Sequence, residues 1–259
     1  MLTGKKGVIL GVANEMSIAW HIAKACKANG AEICLTYPNE AMKQRVTKLG
    51  AELGMEQYFQ CDAARQESIE NACEEIKKAY GEIDFIVHAV AFSDKNELKG
   101  RYVDTSPENF ANTMNISCYS LVAISKQLAP IMSREGSILT LSYYGAEKVI
   151  PNYNVMGVAK AALETSVKYL ALDLGLDGIR VNAISAGPIR TLAAAGIADF
   201  RKMLNYNEKN APLKRNVTGE DIAGTATFLL SKASSGITGE IVHVDCGYNI
   251  IGMKIEDSE

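Results

Sequence analysis

Lys5-Lys6-Gly7-Val8-Ile9-Leu10-Gly11-Val12-Ala13-Asn14-Glu15-Met16-Ser17-Ile18-Ala19 carries three structural signals in order. Gly7–Val12 is a short apolar run, the pattern of a buried strand. Gly11 permits a tight turn at its end. A helix starting near Ser17 runs to Asn29, and Gly30 follows it as a C-terminal stop. The apolar run ends at Asn14-Glu15, which fits a first buried strand better than the core of a signal peptide.

The same alternation continues along the chain. Strand signals recur at Glu32–Tyr37, Gln57–Cys61, Ile83–Ala89, Ser137–Ser142, Arg180–Ser185 and Ile241–Val244. Helical patterns fall at Glu40–Leu53, Arg65–Tyr80, Pro107–Met114, Leu121–Met132, Asn154–Leu174 and Gly219–Leu230. Thr218 and Asp221 offer a reciprocal cap to the last helix, with Asp in place of the usual Glu. Strands alternating with helices imply parallel crossovers and a sheet covered on both faces. The expectation is α/β: one doubly wound Rossmann-type domain over residues 1–259, with about seven parallel strands.

Composition narrows the function classes. Of the 259 residues 47% are apolar and 22% charged, ordinary for a globular domain with a large core. A net charge of −3 argues against nucleic acid as the main partner. No run of about 18 apolar residues occurs, so no membrane span is expected. Cys26, Cys34, Cys61, Cys73, Cys118 and Cys246 have no C-x-x-C spacing, which fits reduced, buried thiols in a cytoplasmic protein. His21, His88 and His243 are dispersed and form no metal set. His88 reads as a hydrogen-bonded strand-end residue.

In such a fold, ligands bind at the carboxyl ends of the strands. There the sequence places Gly11 to Ala19, then Cys61-Asp62-Ala63, then His88-Ala89-Val90-Ala91-Phe92-Ser93, then Ser185-Ala186-Gly187-Pro188-Ile189-Arg190-Thr191. A helix beginning near Ser17 points free N–H groups into the crevice, a place suited to a pyrophosphate. The turn holds one glycine rather than G-x-G-x-x-G, so an ordinary β-α turn also explains it. Tyr153 and Lys160 are seven residues apart, about 700° around a helix, and so share a face. Tyr143 precedes Tyr153 by ten residues. A phenol beside an ammonium suggests proton-transfer chemistry, the ammonium stabilising the phenolate. The spacing is also that of a buried Tyr and a surface Lys on an ordinary helix.

These residues together resemble the bacterial-type enoyl-acyl carrier protein reductases, the NADH-dependent branch of the short-chain dehydrogenase/reductase superfamily. The resemblance runs from Gly7 to Met253. It rests on Tyr143 with Tyr153-x6-Lys160, on the Gly11…Ser17-Ile18-Ala19 turn, and on Ala186-Gly187-Pro188-Ile189-Arg190-Thr191-Leu192-Ala193-Ala194. It implies that Tyr153 contacts the thioester carbonyl and stabilises the enolate, with Tyr143 near the same oxygen. Lys160 bonds the nicotinamide ribose. Gly11, Ser17 and Ile18 hold the pyrophosphate side of NADH, Asp62 and Ala63 meet the adenine, and Val90 the adenosine region. Ile189, Arg190, Thr191, Leu192 and Ala193 cover the nicotinamide and phosphates. Ser93 lies beside the substrate, where the family often has Ala. The implied partner is an acyl carrier protein bearing enoyl chains, in fatty acid biosynthesis, and the implied assembly a homotetramer.

Two further expectations concern specificity. The end of the second strand, Leu35-Thr36-Tyr37-Pro38-Asn39-Glu40, faces the adenosine ribose in this fold and holds no basic residue. With Pro38 beside the ribose and Glu40 repelling a 2′-phosphate, NADH is expected over NADPH, unless Lys43 or Arg45 folds back. The segment Leu192-Ala193-Ala194-Ala195-Gly196-Ile197-Ala198-Asp199-Phe200 is small, apolar and hinged at Gly196, and reads as part of a substrate lid near 191–206. A related carbonyl reductase and a catalytically silent nucleotide-binding regulator are the other readings. The retained Tyr153 and Lys160 weigh against the regulator. Tyr143 and the apolar lid weigh against the carbonyl reductase.

Overall fold

Strands buried on both faces must be apolar throughout, and successive side chains must serve opposite layers. A computed structural model describes residues 1–191, 194 and 199–253. Its order is β1 (Lys6–Leu10), α1 (Ile18–Ala28), β2 (Glu32–Tyr37), α2 (Glu40–Glu52), β3 (Tyr58–Gln60), α3 (Gln66–Tyr80), β4 (Ile83–His88) and α4 (Pro107–Met114). Then come α5 (Ser120–Leu128), β5 (Met132–Tyr143), α6 (Asn154–Gly175), β6 (Arg180–Ala186), α7 (Phe200–Asn210), α8 (Gly219–Leu230) and β7 (Ile241–Val244).

The seven strands are parallel, in the order β3-β2-β1-β4-β5-β6-β7. Ile9, Val87, Leu139 and Ile184 pack with Trp20 and Ile22 of α1 and with Ile222 and Leu229 of α8. Val8, Leu10, Ile86 and Ile138 face the other way, onto Ile69 of α3, Leu121 of α5 and Leu163 of α6. The doubly wound sheet is therefore as expected. The chain order reverses between β1 and β4, the switch point where such sheets open a crevice.

The structure departs from these expectations in three places. The helix expected over Leu121–Met132 stops at Leu128, and a short 3-10 turn, Ala129–Ile131, leads into β5. Pro130 lacks the N–H that a continued helix needs. A π-helical turn, Asn115–Tyr119, joins α4 to α5 where the sequence signals neither element. The helix α7 emerges from the second half of the segment expected as a lid.

The reciprocal cap is present: the Thr218 hydroxyl accepts from Asp221 N at 3.2 Å and Asp221 accepts from Thr218 N at 2.9 Å. All six cysteines are free and buried. Burial pushes the thiols of Cys26, Cys34, Cys61 and Cys73 up to about 12, so none is a thiolate near neutrality. Among the described residues, no helix is long and apolar enough to cross a membrane.

Candidate active site

At the switch point the ends of β1 and β4 nearly touch. A Cβ on Gly11 would lie 2.0 Å from the Ala89 carbonyl oxygen, and its φ is +99°, so only glycine fits. Beyond it, Ser17 Oγ accepts from Ala13 N and Asn14 N, each at 3.0 Å. That hydroxyl knits the loop and does not cap α1. The start of the helix is left facing a cavity of about 600 Å³.

The cavity runs along the carboxyl ends of β1, β4, β5 and β6. Gly11, Ser17, Ile18, Val90, Ser93, Tyr143, Tyr153, Lys160, Ile189 and Thr191 all line it. So do Ala194, Phe200 and Met203, from the segment expected as a lid. Leu192 and Ala193, and lid residues 195–198, lie outside the described residues.

Tyr153 does not sit inside the helix, as its spacing to Lys160 suggests. It is the residue just before α6, held between Asn152 and Asn154 at φ +62° and +42°. Asn tolerates this left-handed backbone better than most residues. A Cβ on Gly145 would come within 2.4 Å of the Tyr153 ring, so this glycine makes room for the phenol. The Tyr143 and Tyr153 rings meet edge to face with centroids 5.0 Å apart.

Lys160 is buried, and its Nζ donates to the Leu141 carbonyl at 2.7 Å. Burial lowers its pKa to about 8, against the opposing influence of Cys118 and Glu164. The expected phenolate does not follow. Burial raises the pKa of Tyr153, with Tyr143 and Glu164 acting in the same direction. Tyr143 is also raised, by burial first and Tyr248 second. Both phenols are therefore neutral hydrogen-bond donors near pH 7.

The residues expected at the adenosine are less convergent. Pro38 is exposed, and neither it nor Asp62 nor Ala63 lines the cavity. One Asp62 carboxylate oxygen accepts from Ala64 N at 3.0 Å, and its backbone N donates to Ser68 Oγ at 2.9 Å. Arg190 is exposed and borders a second cleft with His21 and Thr218. The Ser93 hydroxyl, expected beside the substrate, accepts from Thr113 Oγ1 at 2.9 Å and Asn109 Nδ2 at 3.2 Å.

A family model described as Enoyl-(Acyl carrier protein) reductase matches residues 11–249. The chain belongs to the enoyl-(acyl carrier protein) reductase family. It is similar to the Rickettsia typhi protein named Enoyl-[acyl-carrier-protein] reductase [NADH] FabI, 58% identical over 254 residues, 98% of this chain and 97% of that one. It is also similar to the Anaplasma phagocytophilum reductase solved in complex with NAD, at 59% identity and TM-score 0.95, covering 98% of this chain and 97% of that one. The Bacillus cereus enzyme solved with NADP+ and an indole naphthyridinone is 48% identical with TM-score 0.95, covering 97% of this chain and 99% of that one.

Within this enoyl reductase, several supporting groups carry no sequence motif. Ser117, in the π turn, accepts from Phe92 N at 2.9 Å and donates to Phe92 O at 3.0 Å, fixing the loop after β4. His88 is fully buried between Thr140 Oγ1 at 3.0 Å and Ser120 Oγ at 2.8 Å. Burial first, and the Lys160 charge second, lower its pKa to about 3, so it is neutral and serves structure, as its strand-end position suggests. Only the three-dimensional packing of β4 and β5 against the π turn and α5 reveals these contacts.

Proposed function

We propose that the chain uses NADH to reduce the trans-2 double bond of enoyl-acyl carrier protein thioesters, in fatty acid biosynthesis. The convergence of Tyr143, Tyr153 and Lys160 on one cavity at the switch point carries this reading. The cavity fits a dinucleotide. Gly11 leaves room that any Cβ would fill, the Ser17-knit loop presents a helix start, and Val90, Ile189 and Thr191 wall the groove. Gly11, Ser17, Ile18 and Val90 would hold the phosphates and adenosine, and Lys160 the nicotinamide ribose. Ile189, Arg190, Thr191, Leu192 and Ala193 would cover it, while Pro38, Asp62 and Ala63 meet the adenosine from outside the cavity.

When bound, reduced nicotinamide supplies a hydride to the β-carbon of the enoyl thioester. Negative charge then collects on the thioester carbonyl oxygen. Tyr153, a neutral phenol in a buried setting, donates a hydrogen bond to that oxygen as the charge grows. Tyr143 stands edge-on to Tyr153 and limits where the carbonyl can lie. Leu98, Met156, Phe200 and Met203 give the cavity an apolar wall suited to an acyl chain and poor for water. Thr191 and Ala194, from the stretch read as a lid, line the same cavity.

The same reading makes the acyl carrier protein the partner and a homotetramer the assembly. Tyr169 and Leu172 on α6 and Leu176 just past its end support a subunit contact, being 68%, 73% and 85% exposed. Reduced thiols and a cytoplasmic location belong to it as well. The test is NADH oxidation with a crotonyl thioester set against a panel of ketones, with NADH binding titrated in parallel. Turnover of the thioester alone is expected. Turnover of ketones alone would mark a carbonyl reductase, and binding without turnover a regulator.

A further inference from the structure

Three consecutive residues of β5 each reach a different group of the site. The Leu141 carbonyl holds Lys160 at 2.7 Å, Ser142 Oγ donates to Glu164 Oε1 at 2.5 Å, and the Tyr143 ring meets Tyr153. Ser142 lines the cavity, whereas Glu164 stands behind it, half-buried on α6. Glu164 is one turn after Lys160, on the same face of the helix. The hydrogen bond of Lys160 goes to a neutral carbonyl, and among the described residues no carboxylate forms an ion pair with it.

We infer that Glu164 is a positioning residue that keeps Lys160 in its ammonium form, acting by its charge from behind the cavity while Ser142 anchors it. The inference rests on the reading of Lys160 as the holder of the nicotinamide ribose. A buried ammonium is costly without a nearby opposite charge, and would shed its proton first. The electrostatics agree in direction: Cys118 and Glu164 oppose the burial that lowers Lys160.

Cys118, on the π turn, also favours the ammonium of Lys160, and Glu164 is the carboxylate that does so. Glu147, beyond β5, is spent on His243 of β7, whose Nε2 lies 2.6 Å from its carboxylate. Lys168 of α6 adds a positive charge on the outer side, and both it and His243 favour the ionised form of Glu164. Burial of Glu164 and the Glu147 charge oppose that ionisation, and the Ser142 hydrogen bond supports it. His88, near Lys160, is neutral and contributes no charge.

The experiment is NADH affinity, without turnover, measured on the intact protein from about pH 6 to 10. Affinity of the parent is expected to fall as Lys160 loses its proton. In Glu164→Gln this basic limb should move down by about one pH unit, an approximately tenfold weaker affinity on the limb, with no change near pH 6. Glu164→Ala, a second neutral variant that relaxes packing should the amide not fold, should show the same displacement. Glu164→Asp should restore the parent limb. Coincident limbs in the parent and the neutral variants would overturn the inference and leave the cofactor reading intact. A parent that binds no NADH would overturn both.

Discussion

At the β5–α6 edge, Tyr143, Tyr153 and Lys160 are packed into one cavity, whereas at the β2–β3 edge Pro38 is exposed and Asp62 and Ala63 stand apart from it. The first edge is held by long-range contacts: the Tyr153 ring against Gly145, Lys160 on Leu141, Ser142 on Glu164. The second is held by local bonds, such as Asp62 to Ala64 and Lys43 to Glu40. Burial fixes positions and shifts proton affinities, whereas solvent screens exposed charges and leaves their side chains free to move. Changes at the first edge should therefore cost orders of magnitude in turnover or affinity, and changes at the second should shift preference.

The largest effect is expected at Tyr153. Tyr153→Phe should lower kcat by about 10- to 1,000-fold, the range for removing one oxyanion donor, with NADH affinity little changed. Steady-state kinetics and a binding titration check it together. Parent-like kcat in this variant would break the contrast at its strongest point.

Next comes Lys160. Lys160→Ala should weaken NADH binding by about 10- to 100-fold, since charge-assisted bonds from this ammonium to the ribose would be lost. Burial lowers the pKa of this lysine to about 8, so the ammonium dominates below that pH and the neutral amine above it. Affinity in the parent should therefore decline as pH rises through about 8, and the alanine variant should lose that decline. Isothermal titration showing equal affinity in both proteins would remove Lys160 from the cofactor site.

A smaller effect tests the open edge. NADH should lead NADPH by about tenfold in kcat/KM, or about 1.4 kcal/mol. Lys43 is the cation to watch. Its Nζ lies over the Tyr37 ring at the end of β2, 5.7 Å from the centroid, and 3.3 Å from Glu40. Glu40 thus occupies the charge a 2′-phosphate would seek. Glu40→Gln should free Lys43 and narrow the preference. The Bacillus cereus relative, solved with NADP+, shows that a similar fold takes the phosphate. A lead for NADPH in the parent would mean that Lys43 or Arg45 already serves it.

The difference between the two edges also explains what the sequence made legible. Strand periodicity fixed the sheet, because both-face burial leaves continuous apolar runs such as Val8-Ile9-Leu10 and Phe85-Ile86-Val87. The Tyr143, Tyr153 and Lys160 spacing pointed to one site. It did not show that Asn152 and Asn154 bend the chain to set Tyr153 ahead of its helix, or that burial keeps the phenol protonated. Burial depends on the whole packed layer. The π turn at Asn115–Tyr119 has no periodic signature, so Ser117 and its hold on Phe92 were invisible. Asp62 and Ala63 were placed on the right sheet edge, yet distance from the cavity is a property of strand order, not of strand ends.

The smallest effect is expected at the outer rim, where a carrier protein would dock. Arg201 and Lys202 lie in the first turn of α7, just past the apolar stretch 192–200, and both are exposed. An acidic carrier would meet them there, and rim charges steer encounter more than they add affinity. The structure divides the pair. Lys202 already bonds Asp199 at 2.9 Å, so Arg201 is the cation with more to offer a partner. Reversing both charges should raise KM for a carrier-bound substrate by about three- to tenfold, and for a coenzyme A thioester by less than about twofold. Arg201→Glu alone should give most of that difference, because Lys202→Glu mainly replaces an ion pair with repulsion beside Asp199. The salt dependence of KM for the carrier-bound substrate should weaken in the same variants, since screening acts on exposed charges. Equal effects on the two substrates would show that the reversal disturbs α7 and its Phe200 and Met203 contacts with the cavity, and would remove these two cations from the docking surface.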